Sequence, residues 1–277
     1  MKIEIKIKAL YLYILFPAIL FSSCASLSKF PGVGRIKTYE FQSQQLPSAF
    51  DGFRIVFASD FHYKSKFKEK QLKNMVRAAN SVSPDLLLMG GDYQEGCDVV
   101  PELFAELSRI EAPYGKIGVL GNNDYKRCRD EIIRAMQFYG MKLLEHESDT
   151  IHKDGQQIIV SGVRNPFDLA RNGASPTLSL SPDDFVILLT HTPDYVEDTD
   201  VSNTDLALAG HTHGGQITFL GIIAPETGSK YGRRFLSGKT QNSQGIPIII
   251  TNGLGTSKMN VRFCAPSEIV LIVLRKG

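Results

Sequence analysis

The sequence carries almost no charge imbalance, few cysteines and no repeats, and each of these lacks excludes something. Across 277 residues, 31 Lys and Arg stand against 29 Asp and Glu, a net charge of +2. That excludes a bulk electrostatic grip on nucleic acid, so no nucleic-acid partner is expected beyond what a local basic patch could hold. The four cysteines include no C-x-x-C pair, which excludes a disulfide scaffold and a thiolate zinc module. After residue 26 there is no low-complexity linker, no second long apolar run and no internal repeat. The stretch 27–277 therefore reads as one domain. What is present is 43% hydrophobic and 22% charged residues, the profile of a globular chain with a core, which rules out disorder, collagen-like and coiled-coil architectures.

The first 26 residues form a separate unit. Lys2, Lys6 and Lys8 precede an apolar run from Ala9 to Phe21, and small residues around Cys24 follow. This is the plan of an export signal, and the run is short for a membrane span of about 20 residues. Lipidation at Cys24, an uncleaved anchor and ordinary cleavage all remain open. Phe21, three residues before Cys24, stands where a lipobox prefers Leu. Each outcome puts the protein in the cell envelope, close to a membrane, and the lack of a twin-arginine pair favours the general secretion route.

The remaining chain alternates strand and helix patterns. Arg54–Ala58, Asp85–Met89 and Lys116–Leu120 are strand candidates, separated by helical spacing at Leu72, Met75, Val76 and Ala79 and again at Val100, Leu103, Phe104 and Leu107. Ile132, Ile133 and Met136 mark a third helix. The second half offers strands at 157–161, 185–190, 206–209, 247–251 and 268–274. The expected fold is α/β, with two packed sheets and helices outside.

Five strand ends stop at polar clusters able to bind metal: Asp60-Phe61-His62, Gly91-Asp92, Gly121-Asn122-Asn123-Asp124, Thr190-His191 and Gly210-His211-Thr212-His213. Ligands gather beyond the carboxyl ends of strands in such folds. If the chain stays extended there, residues i and i+2 share a side, which would pair Asp60 with His62 and His211 with His213. A single Asp or His at a strand end is ordinarily a loop hydrogen bond, but five such clusters in this order are not an ordinary set.

The series Asp-x-His, Gly-Asp, Gly-Asn-x-Asp, His, Gly-His-x-His resembles the signature of the calcineurin-like metallophosphoesterases. Residues 210–217 (GHTHGGQI), Gly232-Arg233-Arg234, residues 253–257 (GLGTS), Val261-Arg262 and residues 266–269 (PSEI) look like its branch of small membrane-associated bacterial phosphodiesterases. That branch holds the YkuE- and YaeI-like proteins and a class of UDP-2,3-diacylglucosamine pyrophosphatases. The resemblance, spanning about Gly52 to Leu274, implies a four-layer αββα sandwich and a binuclear metal centre. One ion would take Asp60, His62, Asp92 and His213. The other would take Asp92, Asn122, His191 and His211, with Asp92 bridging. Carboxylate, amide and imidazole ligands suit Mn²⁺ first, then Fe or Zn²⁺. Two such ions can deprotonate a shared water and clamp the oxygens of an in-line displacement at phosphorus. The implied reaction is hydrolysis of a phosphodiester or phosphoanhydride, with a membrane-associated or nucleotide-sugar-lipid substrate; a UDP-2,3-diacylglucosamine pyrophosphatase is one alternative.

One position departs from the family. Where it usually has His after the metal-binding Asn, this chain has Asn123, which can donate a hydrogen bond but cannot deliver a proton near neutral pH. A non-catalytic metal and phosphate binder is therefore the alternative from another class. His146, His152 or a water would have to replace the missing acid, although both histidines read as solvated surface groups. Asp124 reads as the residue that orients the Asn122 loop. Lys64, Lys66, Lys68, Lys230, Arg233 and Arg234 read mostly as solvated charges, with an anion-steering rim as the functional alternative; Arg164 and Arg262 are weaker candidates for that rim. Cys97 and Cys128 follow two of the metal motifs. They are expected as separate thiols, with a disulfide open to an exported protein, and Cys264 has no evident partner.

Overall fold

The computed structural model describes residues 29–221 and 223–277, so the export and anchor reading of 1–26 lies outside the described residues. The first sheet contains β1 (Arg35–Ser43), β2 (Arg54–Ala58), β3 (Leu86–Met89), β4 (Lys116–Gly118), β5 (Lys142–Leu143) and the last strand of the chain, β12 (Glu268–Lys276), in the spatial order β1-β12-β2-β3-β4-β5. The second contains β6 (Glu147–Lys153), β7 (Gln156–Gly162), β8 (Val186–Leu189), β9 (Leu206–Ala209), β10 (Gly238–Gln241) and β11 (Pro247–Ile250), in the order β10-β11-β9-β8-β7-β6. β2 to β5 run parallel, as do β7, β8, β9 and β11. β12 lies parallel to β1 and antiparallel to β2.

Alternation along the strands builds three apolar layers. Ile55, Phe57, Leu86, Leu88, Ile187, Leu189, Leu206, Leu208, Ile249, Val270 and Ile272 fill the space between the sheets. Their neighbours Val56, Ala58, Leu87, Met89, Ile269 and Leu271 face outward and pack on helices. Strands covered on both faces are apolar throughout, which is why β3 reads Leu-Leu-Leu-Met. The helices covering the first sheet are α1 (Glu69–Asn80), α2 (Val100–Leu107) and α4 (Arg129–Phe138), with the short α3 (Asn122–Lys126) between the last two. Each turns its apolar stripe inward: Leu72, Met75, Val76 and Ala79 of α1, for example, are buried. The outer face of the second sheet is covered more thinly. Short α6 (Asp194–Asp198), following α5 (Leu169–Asn172), and the turn Gly232–Phe235 lay Tyr195, Val196 and Phe235 on Leu188, Ala207, Ile248 and Ile250. The result is the four-layer αββα sandwich.

The expectation of two separate thiols is overturned. Cys97 and Cys128 form a disulfide, their Cα atoms 5.2 Å apart. β3 and β4 are neighbours in register, so the loops that leave their carboxyl ends run side by side and bring the two sulfurs together. Among the described residues no cysteine is free, Cys264 included.

Candidate metal centre

The carboxyl ends of β2, β3 and β4 in one sheet and of β8 and β9 in the other open on the same edge of the sandwich. All five polar clusters meet there. Asp60, His62, Asp92, His191 and His213 are buried, while Asn122, Asn123 and His211 are half-buried. Asp60, His62 and His213 offer ligand atoms within 4.8 Å of one another, as do Asp60, Asp92 and His191. Asp92 Oδ2 lies between two of the histidines, 3.4 Å from His62 Nε2 and 3.6 Å from His191 Nε2. His213 Nε2 is 3.6 Å from Asp60 Oδ1, and His211 Nδ1 is 3.2 Å from His191 Nε2. Residues separated by about 150 positions in sequence thus share one site.

The pairing of i with i+2 does not come from extended backbone. Asp60, His62, Asp92, His211 and His213 all sit at positive φ, between 40° and 70°. Each strand ends in a tight turn that swings the side chain back over the sheet edge. Such turns are close-packed: a Cβ on Gly121 would fall 2.1 Å from Asp92 Oδ1, and one on Gly210 would fall 2.3 Å from Asp60 Oδ2. These two glycines are spaces for carboxylates.

Neighbouring groups fix which atoms point into the site. His191 Nδ1 bonds the Gly90 carbonyl at 2.7 Å, and His62 Nδ1 meets Glu95 Oε1 at 2.6 Å. Each bond holds Nδ1 and turns Nε2 toward the carboxylates. His62 Nε2 and Asn122 Oδ1 are buried with no hydrogen-bond partner in the protein. Buried atoms of this kind, converging on two carboxylates, suit divalent cations held by mixed nitrogen and oxygen ligands. Burial raises the pKa of Asp60. For Asp92, burial acts in the same direction, but the neighbouring His191 and His62 charges and the Asn123 N–H outweigh it and hold the carboxyl below its ordinary range. Burial works against a charged His191, yet Asp92 lifts it to about 9. Burial, with the His191 charge, drops His211 to about 3, so the same carboxylates stand beside one imidazole that favours its proton and one that does not.

Asp124 accepts hydrogen bonds from the backbone N–H groups of Gly121, Asp92 and Tyr93 at 2.8, 2.7 and 3.0 Å. It ties the loops after β3 and β4 to each other. Burial, together with the Asp92 charge, pushes it up to about 7 against these three donors, which favour the carboxylate. Asn123 donates its backbone N–H to Asp92 Oδ1 at 2.8 Å, and its side-chain nitrogen lies 3.2 Å from His62 Nδ1.

The other candidates fall elsewhere. His152 pairs with Gln157 at the start of β7, the end of the sheet opposite the site. His146 has both ring nitrogens engaged, with the Ala174 carbonyl and the Arg164 N–H. Neither is placed as a replacement acid. Lys64 is paired with Glu102, Lys230 with Asp198 and Arg234 with Glu197, and Lys68 bonds the Lys64 carbonyl. Lys66 and Arg233 are exposed, as are Lys68, Lys230 and Arg234. Arg164 spends a guanidinium nitrogen on the Arg171 carbonyl. Arg262 is no anion-steering residue: its guanidinium reaches the carbonyls of His213, Asn252, Gly255 and Ala265 at 2.6–3.1 Å, clamping the loops behind His213. Sequence reasoning missed Glu95. Its only signal was an acid three residues after Asp92, which spacing alone does not connect to His62.

Asp92, Asn122, His211 and His213 line a cavity of about 530 Å³ whose opposite wall includes Ile217, Pro225, Glu226, Lys258 and Met259. The family profile described as calcineurin-like phosphoesterase matches residues 53–215. The metallophosphoesterase YkuE of Bacillus subtilis is 32% identical over 244 residues, covering 84% of this chain and 83% of that protein. The UDP-2,3-diacylglucosamine pyrophosphatase LpxG of Chlamydia trachomatis is 28% identical over 275 residues, covering 80% of this chain and 83% of LpxG. Among solved structures, TT1561 of Thermus thermophilus aligns with a TM-score of 0.49 at 13% identity, over 73% of this chain and 90% of that one.

Proposed function

Since this chain belongs to the calcineurin-like phosphoesterase family, and is thus a metal-dependent phosphoric ester hydrolase, we propose that it cleaves phosphoanhydrides and phosphodiesters with good leaving groups, on substrates presented at a membrane surface. The observation that carries this reading is a pair of buried ligand atoms without a hydrogen-bond partner in the protein, His62 Nε2 and Asn122 Oδ1, among the carboxylates and imidazoles that gather around Asp60 and Asp92 beside a cavity. In this reading Asp60, His62, Asp92 and His213 hold one divalent ion and Asp92, Asn122, His191 and His211 the other, Mn²⁺ being the first candidate. When bound, two such ions lower the pKa of a water nucleophile and neutralise phosphoryl charge. The protein's own part is positional. Glu95 and the Gly90 carbonyl orient the imidazoles, Asp124 locks the two first-sheet loops together, and Asn123 offers an N–H donor without a transferable proton.

The similarity to LpxG and the apolar wall of Ile217, Pro225 and Met259 support a nucleotide-sugar lipid as one member of the substrate class. The purified full chain, supplied with Mn²⁺, should hydrolyse anhydride and aryl diester substrates in a panel that also contains alkyl diesters and monoesters. No turnover of any member with both metal positions filled would replace this reading with that of a phosphate binder. We also propose that the segment 1–26 exports the chain and holds it at the membrane, through Cys24 or the apolar run. Removal of residues 1–26 should then weaken membrane partitioning in fractionated cells, and undiminished partitioning would place the anchor elsewhere.

A further inference from the structure

Two loops beside the cavity mouth present apolar side chains to solvent without packing them. Phe219, Leu220 and Ile223 are 60%, 49% and 56% exposed, and Met259 and Val261 are 57% and 49% exposed. Scattered single hydrophobics on a surface are ordinary, but a contiguous group at a site entrance marks an interaction surface.

The loops are not frayed. Phe219 and Ile223 exchange backbone hydrogen bonds at 2.7 and 3.2 Å, and Thr218 N–H bonds the Phe263 carbonyl at 2.9 Å across to the second loop. Gln216, itself buried, donates its side-chain nitrogen to the carbonyls of Ser257 and Met259 and accepts the Ser257 N–H at 2.8 Å. The backbone is braced while the apolar side chains project.

We propose that this loop pair is a bilayer-inserting surface that seats the mouth of the metal cavity on the membrane. Three observations select a lipid surface as the occupant. First, residues 210–225 contain no Asp, Glu, Lys or Arg, and residues 252–266 contain only Lys258 and Arg262 of these. Lys258 is paired with Glu226 at 2.7 Å and the Arg262 guanidinium is spent on backbone carbonyls, so the projecting surface is apolar and carries no net charge, as insertion among acyl chains requires. Second, the surface is continuous with the cavity, since Ile217, Lys258 and Met259 also line it. Third, the described chain begins beside the same loops: Pro31, Gly32 and Gly34 line a second cavity of about 460 Å³ together with Leu254, Thr256, Arg262 and Ser267. In sequence, the apolar run 9–21 precedes this start, so the proposed anchor joins the described chain beside the loops. The inference rests on the proposed catalytic reading only for its consequence, and its test needs no turnover.

The chain has no tryptophan, so a single introduced indole reports its own surroundings. Phe219→Trp and Met259→Trp, made separately in the full chain, should shift to shorter emission wavelength and lose most of their emission with vesicles of phosphatidylcholine and phosphatidylglycerol carrying brominated acyl chains. Phe138→Trp is the comparison, because Phe138 is 81% exposed at the end of α4, and α4 starts beside the site and runs away from it. This variant should keep its emission. Unquenched Phe219→Trp and Met259→Trp on vesicles that carry the protein would overturn the proposal. A concentration-dependent shift of either variant without vesicles would assign the surface to a second copy and overturn it equally. A catalytically inactive chain whose loops are quenched would refute the proposed activity and leave this inference intact.

Discussion

Asp92→Ala should abolish turnover, by at least about a thousandfold or roughly 4 kcal/mol of barrier, and should reduce bound divalent metal in the purified protein. The carboxylate stands between the two halves of the site, with one oxygen facing both His62 and His191 and the other accepting the Asn123 N–H at 2.8 Å. Its removal strips charge from both sets of ligands and frees the loop that carries Asn122. Because Asp92 is anchored from outside by Asp124, which bonds its backbone N–H, the loop that bears residue 92 keeps its path, and the variant should remain folded. Metal content by plasma emission and activity on an aryl diester are the two readouts. Full activity with Asp92→Ala would refute the shared-carboxylate arrangement.

The second large effect concerns the leaving group. General-acid assistance contributes about 10²–10⁴-fold, and Asn123 occupies the position where the family usually has His. The structure supplies no substitute among the described histidines, since His152 lies at the far end of its sheet and His146 is committed to Ala174 and Arg164. Across a series of diesters the wild-type rate should therefore fall steeply as leaving-group pKa rises, while anhydrides that expel a nucleotide phosphate are spared. Asn123→His should flatten the series, with its gain confined to alkyl leaving groups. Glu95, which meets the His62 ring beside Asn123, would be close enough to orient the new imidazole. A wild-type rate insensitive to leaving-group pKa, and unchanged by Asn123→His, would contradict the proposed substrate preference.

The central strands and the three helices on the first sheet were legible because both kinds of element bury an apolar face with its own period. Arg54–Ala58 and Leu206–Ala209 begin and end where the apolar runs do. Edge strands were not legible. β1, β6 and β10 read RIKTYEFQS, ESDTIHK and GKTQ; they are held by backbone pairing on one side, and solvent exposure lets polar residues fill them. The polar clusters marked the site because their residue types are specific. Their backbone geometry was not legible, since an Asp or His in a left-handed turn looks in sequence like one at the end of a strand. Glu95, Arg262 and the bond between Cys97 and Cys128 escaped for a shared reason: each depends on which loops the sheet order brings side by side, and one sequence does not state that order.

The left-handed backbone at Asp60, His62, Asp92, His211 and His213 sets the needs of the fold against those of the site. Non-glycine residues held there give up roughly 1 kcal/mol each, and five of them approach the scale of a domain's whole net stability, roughly 5–15 kcal/mol. Burying the two carboxylates together adds to the same side. The rim of the sandwich is therefore its most frustrated region, and the layers between and outside the sheets carry the surplus that keeps it in shape. Selection for stability alone would place glycine at these turns and hydrophobic residues behind them. That five chemically specific side chains occupy them instead is the mark of a constraint other than folding, and it makes the site the part of this molecule where thermal robustness and chemical competence trade against each other most directly.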